Sequence, residues 1–372
     1  MGHSLGIGIW SSVIPCYNAS RGENTVSMDE HMRGSRRLWG TLAVLVLVAG
    51  GILVLMKPWE GNAQQPLEQR TQFAEDRGNG GSKSIPFDKD RALGYIKQIC
   101  AIGPRISGSA GMAKQQELLR KHFEQLGAKV ELQEFTARQR SKPQPVTMAN
   151  LIARWKPETN RRIIVCAHYD TRPIADQEPN VRDQRKPFVA ANDGASGAAL
   201  MMELAHHMKT IDQAIGVDFV LFDGEEYIFN NQPEEQGGDV YFFGSEHFAK
   251  EYIQSRKANK EPVYLGAVLL DLFAGKNPQF PIESNSATMA GELVEKIWRI
   301  AEEVKVPAFI NKYGTPVRDD HLALNRARIP AIDIIDFDYP HWHRLSDVPE
   351  NCSGDSMEQV ARVLVVWMQR AR

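Results

Sequence analysis

Four short runs that are apolar at nearly every position constrain the fold of this chain more than any other feature. They occupy residues 163–167, 217–222, 265–270 and 331–335, and the second and fourth runs each contain one aspartate. Strands that are buried on both faces of a sheet have this pattern. Helical stretches lie between the runs, for example at residues 197–208 and 289–304. This order of elements predicts an α/β fold, with a mostly parallel central sheet that helices cover on both sides.

A helix and an extended segment are predicted before the first of these runs. Leu118, Leu119, Phe123 and Leu126 recur at helical spacing, and Gly127 follows as a C-terminal stop. Residues 130–135 have the composition of a strand. The predicted catalytic domain is a single one and comprises residues 86–372.

The N-terminal part of the chain has a different composition. Residues 38–56 are almost wholly apolar and would cross about 30 Å of hydrocarbon as a helix. Arg33, Arg36 and Arg37 precede this run and one lysine follows it, so the positive-inside rule places the N-terminus in the cytoplasm. The prediction is a single-pass membrane protein whose catalytic domain lies outside the cytoplasm, in the periplasm or the extracellular space. A cleaved signal peptide is the alternative, although this run exceeds the usual apolar region of about 7–15 residues.

The segments on either side of this run complete the predicted organisation. Residues 1–37 form a cytoplasmic segment, and translation from Met28 would exclude residues 1–27. Residues 57–85 are rich in Gln, Asn, Gly and charge, which indicates a flexible linker.

The chain has 44 basic and 46 acidic side chains, and this balance argues against a nucleic-acid partner. Its four cysteines include no CxxC pair, so neither a disulfide framework nor a thiolate metal site is expected.

Residues of the types that bind metals follow the apolar runs. In α/β proteins the carboxyl ends of parallel strands meet at one edge of the sheet, where ligands bind. One carboxylate in that position is more often a helix cap or an ion-pair partner. Several acids and histidines buried together need a cation, and zinc suits a mixture of imidazole and carboxylate ligands. The residues are His168, Tyr169, Asp170, Asp223, Glu225, Glu226 and Asp271 after the runs, and Asn192, Asp193, His341, Trp342 and His343 in loops.

Six short motifs resemble, in order, those of the M28 superfamily of zinc aminopeptidases and glutaminyl cyclases. They look most similar to its glutaminyl-peptide cyclotransferase branch, and the resemblance covers about residues 87–372. The motifs are HYDTRP at 168–173, ANDGASG at 191–197, DGEE at 223–226, LLDL at 269–272, DDH at 319–321 and HWH at 341–343.

The resemblance implies a role for each matching residue. Asp193, Glu226 and His343 would bind one catalytic zinc ion, and Glu225 would be the general acid and base. Asp271 and Asp319 would form a carboxylate network beside the site, and Trp342 would line the pocket for the substrate side chain. In the two-metal aminopeptidases of the superfamily, His168 and Asp271 would bind a second zinc ion, with Asp193 as the bridge.

Two reactions remain open for such a site. A cyclase would convert the N-terminal glutamine of peptides or proteins into pyroglutamate with release of ammonia. An aminopeptidase would use Glu225 to activate water for attack on the first peptide bond. The details of HYDTRP, of the phrase LLDLFAGKNPQF and of DDH look more like cyclases. A non-catalytic binding ectodomain is a third hypothesis, but such a protein would be expected to lose a metal ligand or the acid and base.

Two features differ from the animal cyclases. Those enzymes have a second tryptophan in the pocket shortly after the DGEE motif, whereas residues 227–231 here contain none. They also pair the cysteine that matches Cys166 with another near Asp193, and Ala198 stands in that neighbourhood here. The chain therefore looks closer to bacterial relatives.

Overall fold

The structure is a computed structural model that describes residues 84–211, 213–258 and 262–372. The strands are β1 Lys129–Ala137, β2 Val146–Trp155, β3 Arg161–His168, β4 Gly216–Phe222, β5 Val263–Asp271, β6 Phe280–Ile282, β7 Phe309–Tyr313 and β8 Ala331–Ile335. The α-helices are α1 Lys89–Cys100, α2 Ala110–Leu126, α3 Ala195–Ala205, α4 Phe243–Lys257, α5 Ser284–Met289, α6 Gly291–Glu303, α7 His321–Arg326 and α8 Gly354–Arg370.

A six-stranded sheet lies at the centre, with the strand order β1-β2-β4-β3-β5-β8. The pairs β3–β4, β3–β5 and β5–β8 are parallel, which confirms the predicted α/β class and the mostly parallel sheet. The pairs β1–β2 and β2–β4 are antiparallel, so one side of the sheet departs from the parallel arrangement. Strands β6 and β7 form a separate parallel pair.

Both faces of the sheet are covered by helices, as the continuous apolar runs predict. Alternate residues of β3 enter different cores, because successive side chains of a strand point to opposite faces. Ile163 and Val165 pack into a large core that also contains residues of α1, α2, α3, α6 and α8. Ile164 and Cys166 pack into a second core with residues of α4 and α7.

The helix boundaries follow local signals in the sequence. The side chain of Ser109 accepts a hydrogen bond from the Met112 backbone N–H at the start of α2, and Gly127 ends this helix in the left-handed conformation. The predicted helix at residues 289–304 is instead the end of α5 followed by α6. The two helices are separated at Ala290, whose φ of −139° is not helical.

The predicted membrane-spanning helix at residues 38–56 lies outside the described residues, and so do residues 1–37 and nearly all of the predicted linker at 57–85. They stay predictions. Within the part of the chain that the structure describes, no helix is both long enough and apolar enough to cross a membrane.

The close contact between α3 and β3 gives a testable prediction for Gly197. A Cβ atom at this position would lie 2.3 Å from Cβ of Ala167, so Gly197→Ala forces the helix away from the sheet. We expect a loss of about 1–3 kcal/mol in the free energy of unfolding, measured by denaturant titration. Gly94→Ala in α1 is the matched control, because a Cβ atom there meets nothing within 4 Å. The control should gain about 0.5–1 kcal/mol, and equal effects of the two changes would contradict the prediction.

Candidate active site

The carboxyl ends of three neighbouring parallel strands place the polar motifs side by side. Strand β3 ends at His168, β4 ends at Phe222 just before the DGEE motif, and β5 ends at Asp271. His168 lies opposite Phe222 in the register of β3 and β4. Residues that are about 50 or 100 positions apart in the sequence therefore share one edge of the sheet.

Asp193, Glu226 and His343 meet at this edge. His343 Nε2 lies 3.0 Å from Glu226 Oε2 and 3.6 Å from Asp193 Oδ2. All three residues are at least 94% buried. His168 joins the same group, since single ligand atoms of His168, Asp193 and Glu226 all lie within 4.8 Å of one another. The structure thus brings together the three residues that the sequence suggested as metal ligands, and His168 beside them.

The electrostatics of this group favour a bound cation. Burial and the neighbouring Asp193 raise the pKa of Glu226 to about 7, although His343 acts in the opposite direction. Asp193 Oδ2 is buried and has no hydrogen-bond partner among the described residues. Buried carboxylates without such partners are costly unless a cation neutralises them. Two carboxylates and an imidazole form a donor set that zinc accepts, and they leave room for a fourth ligand.

Backbone hydrogen bonds to two further aspartates position the ligands. Asp170 accepts from the backbone N–H groups of Glu225 and Glu226, at 3.1 and 3.2 Å, and so fixes the turn of the DGEE motif. Asp347 accepts from the backbone N–H groups of Asn192 and Asp193, at 2.9 and 3.1 Å. Asp170 therefore fixes the backbone of the segment that carries Glu226, and Asp347 fixes the backbone of the segment that carries Asp193.

The turn before α3 requires a glycine. Gly194 has a φ of 93°, and a Cβ atom there would lie 2.6 Å from the backbone oxygen of Asp170. This close approach brings the ANDGASG segment against the end of β3 and supports Asp193 beside His168. The turn at Gly194 thus leads directly into α3.

Glu225 lies next to the ligand group and is more accessible than Glu226. Burial raises its pKa well above the ordinary value, and nearby Glu226, Asp319 and Asp320 raise it further against the effect of His168. A carboxylate with a raised pKa is a better proton acceptor than an ordinary glutamate. Glu225 is therefore suited to proton transfer at the rim of the metal site.

Asp271 and Asp319 interact electrostatically near the same edge. Asp271 Oδ1 is 3.5 Å from His168 Nε2, and Asp319 Oδ1 accepts the backbone N–H of Asp320 at 2.6 Å. Burial raises the pKa of Asp319 well above its usual value, and Asp271 is the next largest cause. Interacting carboxyl groups in such a largely buried site share a proton more easily than they carry two charges.

Trp342 forms part of the wall beside His343. It is half-buried and packs against Phe337, with 5.1 Å between the ring centroids. The rings of Trp342 and His343 lie 4.1 Å apart. An aromatic side chain therefore borders the metal ligands on one side.

The comparison with protein families covers most of this domain. Peptidase family M28 matches residues 150–368, which is more than half of the 372 residues. The chain belongs to peptidase family M28. The family predicted from the six motifs is thus confirmed.

Three proteins show what this M28 protein is similar to in sequence and in structure. The glutaminyl-peptide cyclotransferase of Boiga irregularis is 26% identical over 253 residues, which cover 60% of this chain and 65% of the relative, so the chain spans less than two thirds of that relative's length. The crystal structure of Fimbriiglobus ruber glutaminyl cyclase is 55% identical, covers 77% of this chain and 96% of its own, and has a TM-score of 0.75. A Zn-dependent exopeptidase from Parabacteroides distasonis is 27% identical, covers 77% of this chain and 100% of its own, and has a TM-score of 0.70.

Some residues of the site of this M28 protein carry weak or no signals in the sequence. Asp170 follows a strand and could be suspected as a backbone acceptor. Asp347 and Asp176, whose Oδ1 lies 3.1 Å from His343 Nδ1, have no signal in the sequence that they support distant ligands. His321, which follows Asp319 in the DDH motif, is fully buried, and its Nε2 lies 3.2 Å from Glu283 Oε2. It thus contacts a residue outside the group of metal ligands.

Proposed function

We propose that this M28 protein is a zinc-dependent glutaminyl-peptide cyclotransferase. Its substrates would be peptides or proteins with an N-terminal glutamine, and its products would be the pyroglutamyl peptide and ammonia. The main support is that Asp193, Glu226 and His343 converge with Glu225 beside them, in a chain that is 55% identical to the Fimbriiglobus ruber glutaminyl cyclase. Family membership alone would not distinguish the two reactions.

In this proposal one zinc ion is held by Asp193, Glu226 and His343. The donor types fit, and the buried Asp193 Oδ2 lacks a hydrogen-bond partner among the described residues. The chemistry that zinc would supply when bound is Lewis acidity toward the γ-carbonyl oxygen of the glutamine. The Zn-dependent exopeptidase from Parabacteroides distasonis, which has a similar fold, supports the choice of metal.

The chain's own residues handle the protons of the reaction. The α-amine nitrogen forms a bond to the side-chain amide carbon, the bond from that carbon to the amide nitrogen breaks, and ammonia leaves. Glu225 accepts a proton from the attacking amine and donates it to the departing nitrogen. One C–N bond thus replaces another, and one proton moves from the attacking amine to the departing nitrogen. No water is consumed.

Asp271, Asp319 and Trp342 prepare the site for this step. Asp271 and Asp319 together keep one negative charge when they share a proton, and charge on Asp319 favours the protonated form of Glu225. The indole of Trp342 beside His343 would line the pocket for the glutamine side chain and reduce the access of water. A glutamine whose side chain folds back in this pocket brings its α-amine close to its side-chain amide before any bond forms or breaks.

An M28-type zinc aminopeptidase is the second candidate, and one observation favours it. His168 Nε2 lies 3.1 Å from Asp193 Oδ1 and 3.5 Å from Asp271 Oδ1, so the donors for a second metal ion converge. Glu225 would then activate a water molecule for attack on the first peptide bond. Two zinc ions per purified chain would favour this candidate, and one ion would favour the cyclase.

The products distinguish the two candidates directly. The purified chain is incubated with a glutaminyl peptide and, separately, with an aminoacyl amide that has no side-chain amide. The proposal predicts pyroglutamyl peptide and ammonia from the first substrate and little free amino acid from the second. Free amino acid as the main product of both substrates would reject the cyclase in favour of the peptidase.

A further inference from the structure

We propose that residues 172–178 form a positioning segment whose Asp176 fixes the orientation of His343 for metal binding. This inference rests on the proposed function, because it takes His343 to be a zinc ligand. Within this segment, Asp176 and Gln177 contact His343, and Gln177 and Glu178 contact the two residues that follow it.

The side chain of Asp176 meets the nitrogen of His343 that faces away from the other ligands. Asp176 Oδ1 lies 3.1 Å from His343 Nδ1, while His343 Nε2 points to Glu226 and Asp193. Nδ1 is buried and makes no well-aligned hydrogen bond among the described residues, so Asp176 is the acceptor available to it. A proton on Nδ1 that is shared with Asp176 leaves the lone pair of Nε2 free for a metal.

Asp176 is itself held by two other side chains. Arg172 donates from Nε to Asp176 Oδ1 at 2.8 Å and from Nη2 to Oδ2 at 3.1 Å. Asn231 donates to Oδ2 at 3.0 Å. A carboxylate bound on both oxygens by an arginine and by an amide cannot rotate freely, so it fixes the plane of the imidazole.

The backbone of the segment also docks on the loop that carries His343. The Gln177 N–H donates to the His343 carbonyl at 3.3 Å, and Arg344 Nε donates to the Gln177 carbonyl at 3.1 Å. Glu178 Oε1 accepts the Leu345 N–H at 2.8 Å. These contacts join segments that are about 167 positions apart in the sequence.

The conformation of His343 explains why such support is needed. Its φ is 53°, in the left-handed region that a residue with a Cβ atom adopts at a cost of about 1–2 kcal/mol. Strained backbone of this kind persists where the surroundings impose it. The contacts to the side chain and carbonyl of His343 and to the two residues after it impose it here.

The same segment reaches a second ligand. The Arg172 backbone N–H donates to Glu226 Oε1 at 2.7 Å, and Arg172 Nη1 lies 3.9 Å from Glu226 Oε2. Residues 172–178 thus orient two of the three proposed ligands toward each other.

Zinc affinity of the full chain tests the inference without relying on turnover. Zinc-free protein is titrated with zinc against a chelator of known affinity, for the unchanged chain and for Asp176→Leu and Asp176→Asn. We expect Asp176→Leu to bind zinc about 10–100-fold more weakly, which is the usual effect of losing the acceptor behind a histidine ligand. Asp176→Asn retains an acceptor oxygen for Nδ1 and should keep most of the affinity.

Two controls separate positioning from general stability. Asp183→Leu makes the same change in the same loop, but Asp183 contacts Asn180 and Lys186 rather than a ligand. It should leave the zinc affinity unchanged. The thermal unfolding midpoint of the zinc-free chain should fall more in Asp176→Leu than in Asp183→Leu, because Asp176→Leu leaves the buried Arg172 without its carboxylate partner. Asp176→Asn also loses this charge pair with Arg172, so the zinc affinity that it keeps separates positioning from stability.

The outcomes distinguish this inference from the proposed function. Zinc binding by the unchanged chain together with undiminished affinity in Asp176→Leu would overturn the inference and leave the proposed function standing. Failure of the unchanged chain to bind zinc would overturn both. If Asp176→Leu does not fold, Asp176→Ser replaces it, since serine is too short to reach Nδ1. Equal affinities of the serine and asparagine variants would then overturn the inference.

Discussion

Glu225→Gln should reduce turnover of a glutaminyl peptide by about 100–10,000-fold, which is the range expected when a general acid and base is lost. Glutamine has nearly the same size and cannot accept the proton of the attacking amine. The zinc content should stay near that of the unchanged chain, because Glu225 is not among the three converging ligands. Ammonia release measures the turnover, and metal analysis of the same sample measures the zinc.

The matched control is Glu235→Gln, an exposed glutamate about ten positions further along. It should change neither turnover nor zinc content. Loss of zinc in Glu225→Gln in parallel with the loss of turnover would show that Glu225 binds metal, and its role as acid and base would then be wrong.

Removal of zinc should abolish turnover and weaken the fold. The neighbouring Asp193, Glu226 and Asp271 lie in a largely buried group, and without a cation their mutual repulsion and desolvation oppose folding. At a zinc concentration about 1,000 times the dissociation constant, binding contributes about 4 kcal/mol to the free energy of unfolding. A chelator should therefore lower the thermal unfolding midpoint, and added zinc should restore both the midpoint and the turnover.

Magnesium is the control ion for this experiment. It prefers six oxygen ligands and keeps several water molecules, so it should restore neither turnover nor the midpoint at the same concentration. Full turnover in a chain from which metal analysis finds all zinc removed would contradict the metal-dependent reaction.

The parallel part of the sheet could be predicted because strands that are buried on both faces consist almost entirely of apolar residues. Strands β3, β4, β5 and β8 read as apolar runs, and the acids after them mark the functional edge. Strand β2 is not a continuous apolar run. It contains Asn150, a buried side chain that accepts the Asp223 N–H and donates to the Gly244 carbonyl. A polar residue that satisfies distant backbone groups interrupts the pattern, so β2 was missed, whereas part of β1 was predicted as the strand at residues 130–135.

The ligand set could be suggested only in part from residue patterns. Glu226 follows a predicted strand, but Asp193 and His343 lie in loops whose positions depend on long-range contacts. Their assignment came from the resemblance to a family, and the structure brings the two within 3.6 Å. Asp176 shows the limit of sequence reasoning most clearly. It appears as one acid in a polar loop, and its contact with His343 depends on docking between segments far apart in the chain.

The position of the zinc ion tests the central claim most directly. Crystals of the zinc-loaded chain would be measured at the zinc absorption edge, where anomalous scattering locates the ion independently of the protein. We predict one strong peak within about 2.0–2.2 Å of ligand atoms from Asp193, Glu226 and His343, with Glu225 next to it but not bound. A peak that is out of reach of any of these three side chains would contradict the account.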